Sequence, residues 1–290
     1  MTVLRRISWR VVGGGCVFAA TLVLCRLLLQ VLGFGLERAP AQAPEEIAGY
    51  YLLGGSIGLA TGTIWVVKGL GASPLRRWSV ASAFVVVGFA LSTTIEAGIY
   101  SASDGSVLTV LLLLPPCLAL VMVQVIVFPV DVDPSPEGPE TPARGVARRE
   151  WAWRLAAAVF SFPAIYLVFG IIVSPIVMSY YAEGAAGLVL PSTGLIVGTQ
   201  VLRGILHVAI VLLVMRTWCR SRRQLVMALT AAFFVFVMMY DVVLAYEVPV
   251  VLIATHSVEV LADSFVFSWI ATGLLAPMAL DMNSRLAIAS

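Results

Sequence analysis

The chain has 290 residues, of which 60% are hydrophobic and only 12% are charged, and its mean hydropathy is +1.00. Soluble domains carry about 25% charged residues, so this composition excludes a soluble fold, a disordered chain, a disulfide scaffold and a nucleic-acid-binding domain. The net charge of +2 is too small to indicate a partner by itself. The composition predicts a polytopic membrane protein whose surroundings are the lipid bilayer.

The N-terminus joins basic residues to an apolar run, as a secretory signal does. The run from 11 to 36 is too long for the apolar core of a signal, and Pro44 would follow a cut after Ala41-Gln42-Ala43. We therefore predict an uncleaved first transmembrane helix. The four cysteines form no C-x-x-C pair, so the sequence predicts no redox motif, no zinc site and no cofactor.

Eight apolar stretches are long enough to cross the hydrocarbon layer, which takes about 20 residues in a helix. None of them alternates as a membrane strand would. The stretches cover residues 11–36, 47–70, 78–100, 106–130, 154–178, 193–217, 224–247 and 251–280. The predicted fold is therefore an all-α bundle of about eight transmembrane helices.

Basic residues concentrate in alternate connections, and this pattern predicts the orientation. Of the 18 lysines and arginines, only Arg38 lies in a connection on the other side, while Arg26 and Arg203 lie inside helices. Most tryptophans border the basic side and most tyrosines the opposite side, as interfacial belts do. The positive-inside rule then places both termini in the cytoplasm. We expect a multi-pass protein of the cell membrane, either a plasma membrane or a bacterial inner membrane.

A segment rich in proline and charge divides the chain. Residues 131–152 have no apolar period and are predicted to form a flexible cytoplasmic linker. The linker separates a first four-helix half, 1–130, from a second four-helix half, 153–290, which contains most of the polar intramembrane residues.

The two halves share several features. Trp9-Arg10 matches Trp153-Arg154, and Arg76-Arg77 matches Arg222-Arg223 at comparable spacing. Because each half has an even number of helices, the halves would have the same orientation. The pattern predicts two parallel repeats of the kind that occurs in transporters. The alternative is coincidence among features that membrane helices commonly have.

Two features of the first half concern helix packing. Gly54, Gly58 and Gly62 form a ridge of small residues that lets another helix approach closely. We favour an internal contact over an oligomer interface, although the oligomeric state does not follow from the sequence. Pro115-Pro116 in the fourth stretch is predicted to kink or break that helix.

Polar residues inside the second-half spans form the candidate functional site. They are Gln200, Arg203 and His207 in the sixth stretch and His256, Glu259 and Asp263 in the eighth. Their i, i+3, i+7 spacing puts each trio on one helix face, and the two faces are predicted to meet. A charge at the bilayer centre costs about 2.5–3.5 kcal/mol and usually has a partner. We expect Arg203 to pair with Glu259 or Asp263, with Asp241 of the seventh stretch nearby.

Several chemistries suit these residues. Histidine with glutamate suits a proton relay, and Arg203 suits an anion site. Histidines and carboxylates can also ligate a metal, but Arg203 would repel a cation and H-E-x-x-H is absent, so no metal site is predicted. In the first half, Arg26 and Glu96 are predicted to form a second pair, for which we favour a structural role.

The second half resembles a group of uncharacterised bacterial polytopic membrane proteins. The matching residues are Leu202-Arg203-Gly204, His256-x-x-Glu259 and Ser264-Phe265, against a group pattern of L-R-G, H-x-x-E and S-N-F. Asp263-Ser264-Phe265 departs from the S-N-F of the group. The resemblance covers the last third of the chain and implies no activity, but it supports treating these positions as one site.

The sequence predicts a transporter or binding protein for a small solute or ion, with its polar site in the outer half of the membrane. Arg203 would hold an anionic group or gate the site, Glu259 and His207 would carry protons, and Asp263 would hold Arg203. One alternative is a membrane-embedded enzyme, a metal-dependent hydrolase or a lipid-modifying enzyme. Another is a structural subunit of a membrane complex.

Overall fold

A computed structural model describes residues 3–32, 45–100, 107–127, 147–183, 189–243 and 249–289. Within these ranges the chain forms helices and no strand, apart from one isolated β-bridge between Leu70 and Trp218. Eight helices of the described part are long and apolar enough to cross a membrane. The prediction of an all-α polytopic bundle is confirmed, and the chain is a multi-pass membrane protein.

The helices follow the predicted apolar stretches, although α1 begins earlier and α8 ends later than predicted. They are α1 (Val3–Val31), α2 (Glu45–Val67), α3 (Pro74–Tyr100), α4 (107–127), α5 (Arg148–Ala182), α6 (Thr193–Met215), α7 (Arg222–Val243) and α8 (Val250–Ala289). The start of α5 at Arg148 corrects the predicted linker, whose last residues are helical. An ion pair of 2.8 Å between Arg154 and Glu150 and the packing of Trp151 on the core stabilise this first turn. Residues 131–146 of the predicted linker lie outside the described residues.

Two helices contain π-helical segments. In α3 the segment Val86–Leu91 interrupts the α-helix, and the Ser92 hydroxyl donates a hydrogen bond of 3.0 Å to the Val87 carbonyl. In α4 a π-helical turn, Val123–Val127, follows the α-helical part. Pro115-Pro116 does not break α4, which stays α-helical from Val107 to Met122. Neighbouring groups and local adjustments often compensate the donors that proline removes in membrane helices.

Helix contacts are similar in the two halves. In the first half α1 packs against α2 and α4, and α3 packs against α4; in the second half α5 packs against α6 and α8, and α7 packs against α8. Between the halves α2 packs against α7, and α3 packs against α6. Two parallel repeats related by a two-fold axis along the membrane normal would produce this pattern. Gene duplication as its origin stays a prediction.

The connections after α2 and after α6 pair with each other, and we call them the paired connections, 69–71 and 217–219. The Gly71 amide donates to the Thr217 carbonyl at 2.7 Å, and the Cys219 amide donates to the Gly69 carbonyl at 2.9 Å. A two-fold rotation would exchange these two hydrogen bonds. Gly69 leaves room for the Trp218 ring, which would overlap any side chain at that position.

Basic groups surround the paired connections, so we call this end of the bundle the basic end. The guanidinium of Arg220 donates through Nε to the Lys68 carbonyl at 3.1 Å. Burial, followed by the charges of Arg220 and Arg10, lowers the pKa of Lys68 below its usual value. Two helices, α2 and α6, end at the basic end, and two others, α3 and α7, begin there. Of these four helices, α2 packs against α7 and α3 packs against α6.

The glycine ridge of α2 faces α7 at two of its three positions. An added Cβ would lie 3.1 Å from the Ala232 Cα at Gly62 and 3.5 Å from the nearest Val235 methyl carbon at Gly58. At Gly54 it would meet no atom within 4 Å. The ridge is therefore an internal contact through Gly58 and Gly62, and Gly54 takes no part in it.

Leucine at position 62 is expected to destabilise the protein by about 1–3 kcal/mol, because it must separate α2 from α7. Gly54→Leu provides the matched control, since it adds the same side chain to the same helix in open space. The unfolding midpoint in detergent, followed by tryptophan fluorescence, should fall for Gly62→Leu and stay near wild type for Gly54→Leu. Equal midpoints for the two variants would contradict the α2–α7 contact.

Candidate functional site

A cavity lies between α3, α5, α6, α7 and α8. Its polar lining consists of Glu96, Tyr166, Arg203, His207, His256, Glu259, Asp263 and Ser264. At 1.5 Å per residue, Arg203 lies roughly 15 Å along α6 from Thr193, and Glu259 roughly 14 Å along α8 from Val250. The two helix faces singled out in the sequence therefore contribute to one cavity.

The cavity has room for a small molecule. The cavity volume available to water is about 50 Å³. By this measure one water molecule needs about 10–15 Å³, so the cavity holds roughly three to five water-sized groups. Aromatic rings of Phe162, Phe233 and Phe267 supply much of the remaining wall.

Arg203 is the buried cation of the site, with only 3% of its surface exposed. Its Nη2 atom lies 3.1 Å from Oε2 of Glu96, and its Nη1 atom donates to Oε1 of Gln200 at 3.2 Å. The guanidinium carbon also lies 5.4 Å from the ring centroid of Phe162, a cation–π distance. Nε of Arg203 has no hydrogen-bond partner.

These contacts correct two predicted ion pairs. Arg203 pairs with Glu96 of α3, whereas we expected Glu259 or Asp263 of α8. Glu96 was expected to pair with Arg26, which is exposed on α1. The helix arrangement explains the second correction, because α1 packs against α2 and α4, whereas α3 packs directly against α6. Both α3 and α8 pack against α6, so the first correction depends on which side chain of each helix faces Arg203.

His207 lies one turn deeper on α6 and is almost completely buried. Its Nδ1 atom is 2.7 Å from the Arg203 carbonyl oxygen. Because a carbonyl oxygen only accepts, Nδ1 carries the proton of this hydrogen bond. The imidazole stacks on Phe162 at 4.7 Å and contacts Phe233 at 4.9 Å between ring centroids. His207 thus connects Arg203 to the aromatic wall.

The acidic side of the cavity comes from α8. Glu259 is 9% exposed, and its Oε2 atom lies 3.0 Å from Nδ1 of His256. One turn further along α8, Oδ1 of Asp263 is buried and has no hydrogen-bond partner. Gly170 of α5 lies beside Glu259, because a Cβ added at Gly170 would lie 3.8 Å from Oε1 of Glu259. The side chain of Asp241 lies outside the described residues.

Three contacts of the site were not predicted. The hydroxyls of Tyr100 and Tyr166 lie 2.6 Å apart and connect α3 to α5, although the sequence assigned Tyr100 only to an interfacial belt. Phe162 packs on both Arg203 and His207. Gly204 permits this packing, because an added Cβ would lie 2.5 Å from the Val159 carbonyl oxygen of α5. Only the L-R-G motif had drawn attention to Gly204.

The described residues contain no group of three or more histidine, cysteine, aspartate or glutamate side chains arranged to hold a metal ion. No family model, curated protein or solved structure matches the chain. The class to which it belongs follows from its own structure: it is a multi-pass helical membrane protein with a cavity lined by charged and aromatic side chains inside the bundle.

Proposed function

We propose that the protein is a membrane transporter that binds a small solute in this cavity. One observation carries the proposal: charged side chains from α3, α6 and α8 surround a space inside a membrane-spanning bundle. A pair that only holds helices together would need Arg203 and Glu96 alone. His256, Glu259 and Asp263 also line the cavity, and charged groups inside a membrane commonly belong to a solute pathway.

The arrangement of the halves supports transport. Transporters built from repeats bind solute at the contact between the repeats and expose it alternately to the two sides. Here α3 of the first half and α5 to α8 of the second half line the cavity. The paired connections join the halves at the basic end, which the positive-inside rule places in the cytoplasm of a cell membrane.

Access to the cavity from both membrane sides tests the proposal. Ser264 lines the cavity and is buried, so Ser264→Cys in a chain without its four native cysteines is a suitable reporter. We expect a membrane-impermeant methanethiosulfonate reagent to label it in vesicles of either orientation. Ser268→Cys is the control, because Ser268 is equally buried on α8 but does not line the cavity; we expect it to react far more slowly.

Labelling of Ser264→Cys from one side only would rule out transport and favour a binding protein or an enzyme open to that side. No labelling from either side would exclude a cavity that solutes reach, and would favour a structural subunit.

A further inference from the structure

Two polar atoms of cavity-lining residues have no partner. Of the buried side-chain nitrogen and oxygen atoms without a hydrogen bond in the described part of the chain, those on lining residues are Nε of Arg203 and Oδ1 of Asp263. One is a donor and the other an acceptor. Burial of a polar group without a hydrogen-bond partner is unfavourable, so a bound molecule that pairs with both atoms would be stabilised.

The charges of the lining specify what kind of molecule suits both atoms. Glu96 balances the charge of Arg203, and His256 contacts Glu259, which leaves Asp263 as the acidic group without a partner at its buried oxygen. A simple cation at Asp263 would lie near the guanidinium. A simple anion at Arg203 would lie near the carboxylates of α8. A molecule with opposite charges at its two ends avoids both conflicts.

The size of the cavity limits this molecule to a short carbon chain between its two charged groups. Space for roughly three to five water-sized groups accommodates a carboxylate and an ammonium group joined by one or two carbons. The rings of Phe162, Phe233 and Phe267 can contact those carbons, and an aromatic face also attracts an ammonium group.

We propose that the solute is a small zwitterion, whose carboxylate accepts a hydrogen bond from Nε of Arg203 and whose ammonium group donates to Asp263 and Glu259. This inference rests on the proposed function, since it names the solute class of the same cavity. Gln200 and Glu96 act as positioning residues, because they hold the other two guanidinium nitrogens and leave Nε for the solute.

Binding of three matched probes to the detergent-purified full chain tests the inference by calorimetry. Glycine carries both charges, methylammonium carries only the positive end, and acetate carries only the negative end. We expect glycine to bind about tenfold more tightly, or more, than methylammonium or acetate. Each of these probes lacks one charged hydrogen bond, and the loss of one such bond costs about 1.5–3 kcal/mol.

Two variants identify the contacts. Asp263→Asn removes the negative charge at almost constant size, and Arg203→Lys keeps the positive charge opposite Glu96 but removes Nε. Each is expected to weaken glycine binding about tenfold or more. Arg26→Lys, on the exposed face of α1, is the matched control and should leave glycine binding unchanged. Unfolding midpoints without ligand show whether each variant is folded.

The outcomes separate this inference from the proposed function. Equal binding of methylammonium and glycine, unaffected by Arg203→Lys, would replace the zwitterion with a cation. Equal binding of acetate and glycine, unaffected by Asp263→Asn, would replace it with an anion. Binding of none of the three probes would overturn the inference, whereas labelling of Ser264→Cys decides the transport proposal independently.

Discussion

Arg203→Met is expected to destabilise the protein by about 3 kcal/mol, the lower end of the range for breaking a buried ion pair. The substitution leaves the Glu96 carboxylate without its cation inside the bundle, where the Arg203 side chain is 4% exposed and the Glu96 side chain 26%. Partial exposure of Glu96 keeps the cost at this lower end. The measurement is the free energy of unfolding in detergent, from a denaturant titration followed by tryptophan fluorescence.

A second substitution distinguishes loss of the pair from loss of the arginine. Arg203→Met combined with Glu96→Gln removes both charges of the pair, so Glu96 is no longer a carboxylate without its cation, and most of the lost stability should return. Arg26→Met removes an exposed arginine of α1 and should change stability little. If the double variant were no more stable than Arg203→Met alone, the Arg203–Glu96 pair would not stabilise the bundle.

Gly204→Ala is expected to cost about 2 kcal/mol, because overpacking of a close helix contact forces the backbones apart. The new methyl group would lie 2.5 Å from the Val159 carbonyl oxygen and 3.3 Å from the Phe162 Cβ. A backbone oxygen of α5 cannot rotate away as a flexible side chain does. The displaced Phe162 would also lose its contacts with Arg203 and His207, so glycine binding should weaken with stability.

Gly198→Ala on the same helix is the matched control. An added Cβ at Gly198 meets no atom within 4 Å, so the unfolding free energy of Gly198→Ala should not fall, and should rise by up to about 1 kcal/mol because alanine has the higher helix propensity. Both variants add one methyl group to α6, and the difference between them therefore measures the contact with α5. Similar unfolding free energies for Gly198→Ala and Gly204→Ala would show that the α5–α6 contact is looser than described.

The eight helices and their order could be predicted from the sequence, because the bilayer imposes a length of about 20 apolar residues on each span. The helical period put Arg203 with His207 on one helix face and Glu259 with Asp263 on another, and all four side chains line the cavity. Both inferences depend on local quantities, namely the length of an apolar run and the spacing of residues within one helix. The start of α1, both ends of α5 and the end of α8 were less accurate, because polar residues continue a helix beyond the hydrocarbon.

The partners of those residues could not be predicted. Period and spacing describe one helix at a time, whereas the Arg203–Glu96 pair depends on which helix is the neighbour of α6 and on its rotation. The same holds for the Phe162 ring on His207, the Tyr100–Tyr166 hydrogen bond and the approach of α5 at Gly204. In a bundle whose lipid-facing and internal residues are almost equally apolar, hydrophobicity does not distinguish these arrangements. Close packing at small residues and hydrogen bonds between helices distinguish them, and those contacts exist only once the helices have assembled.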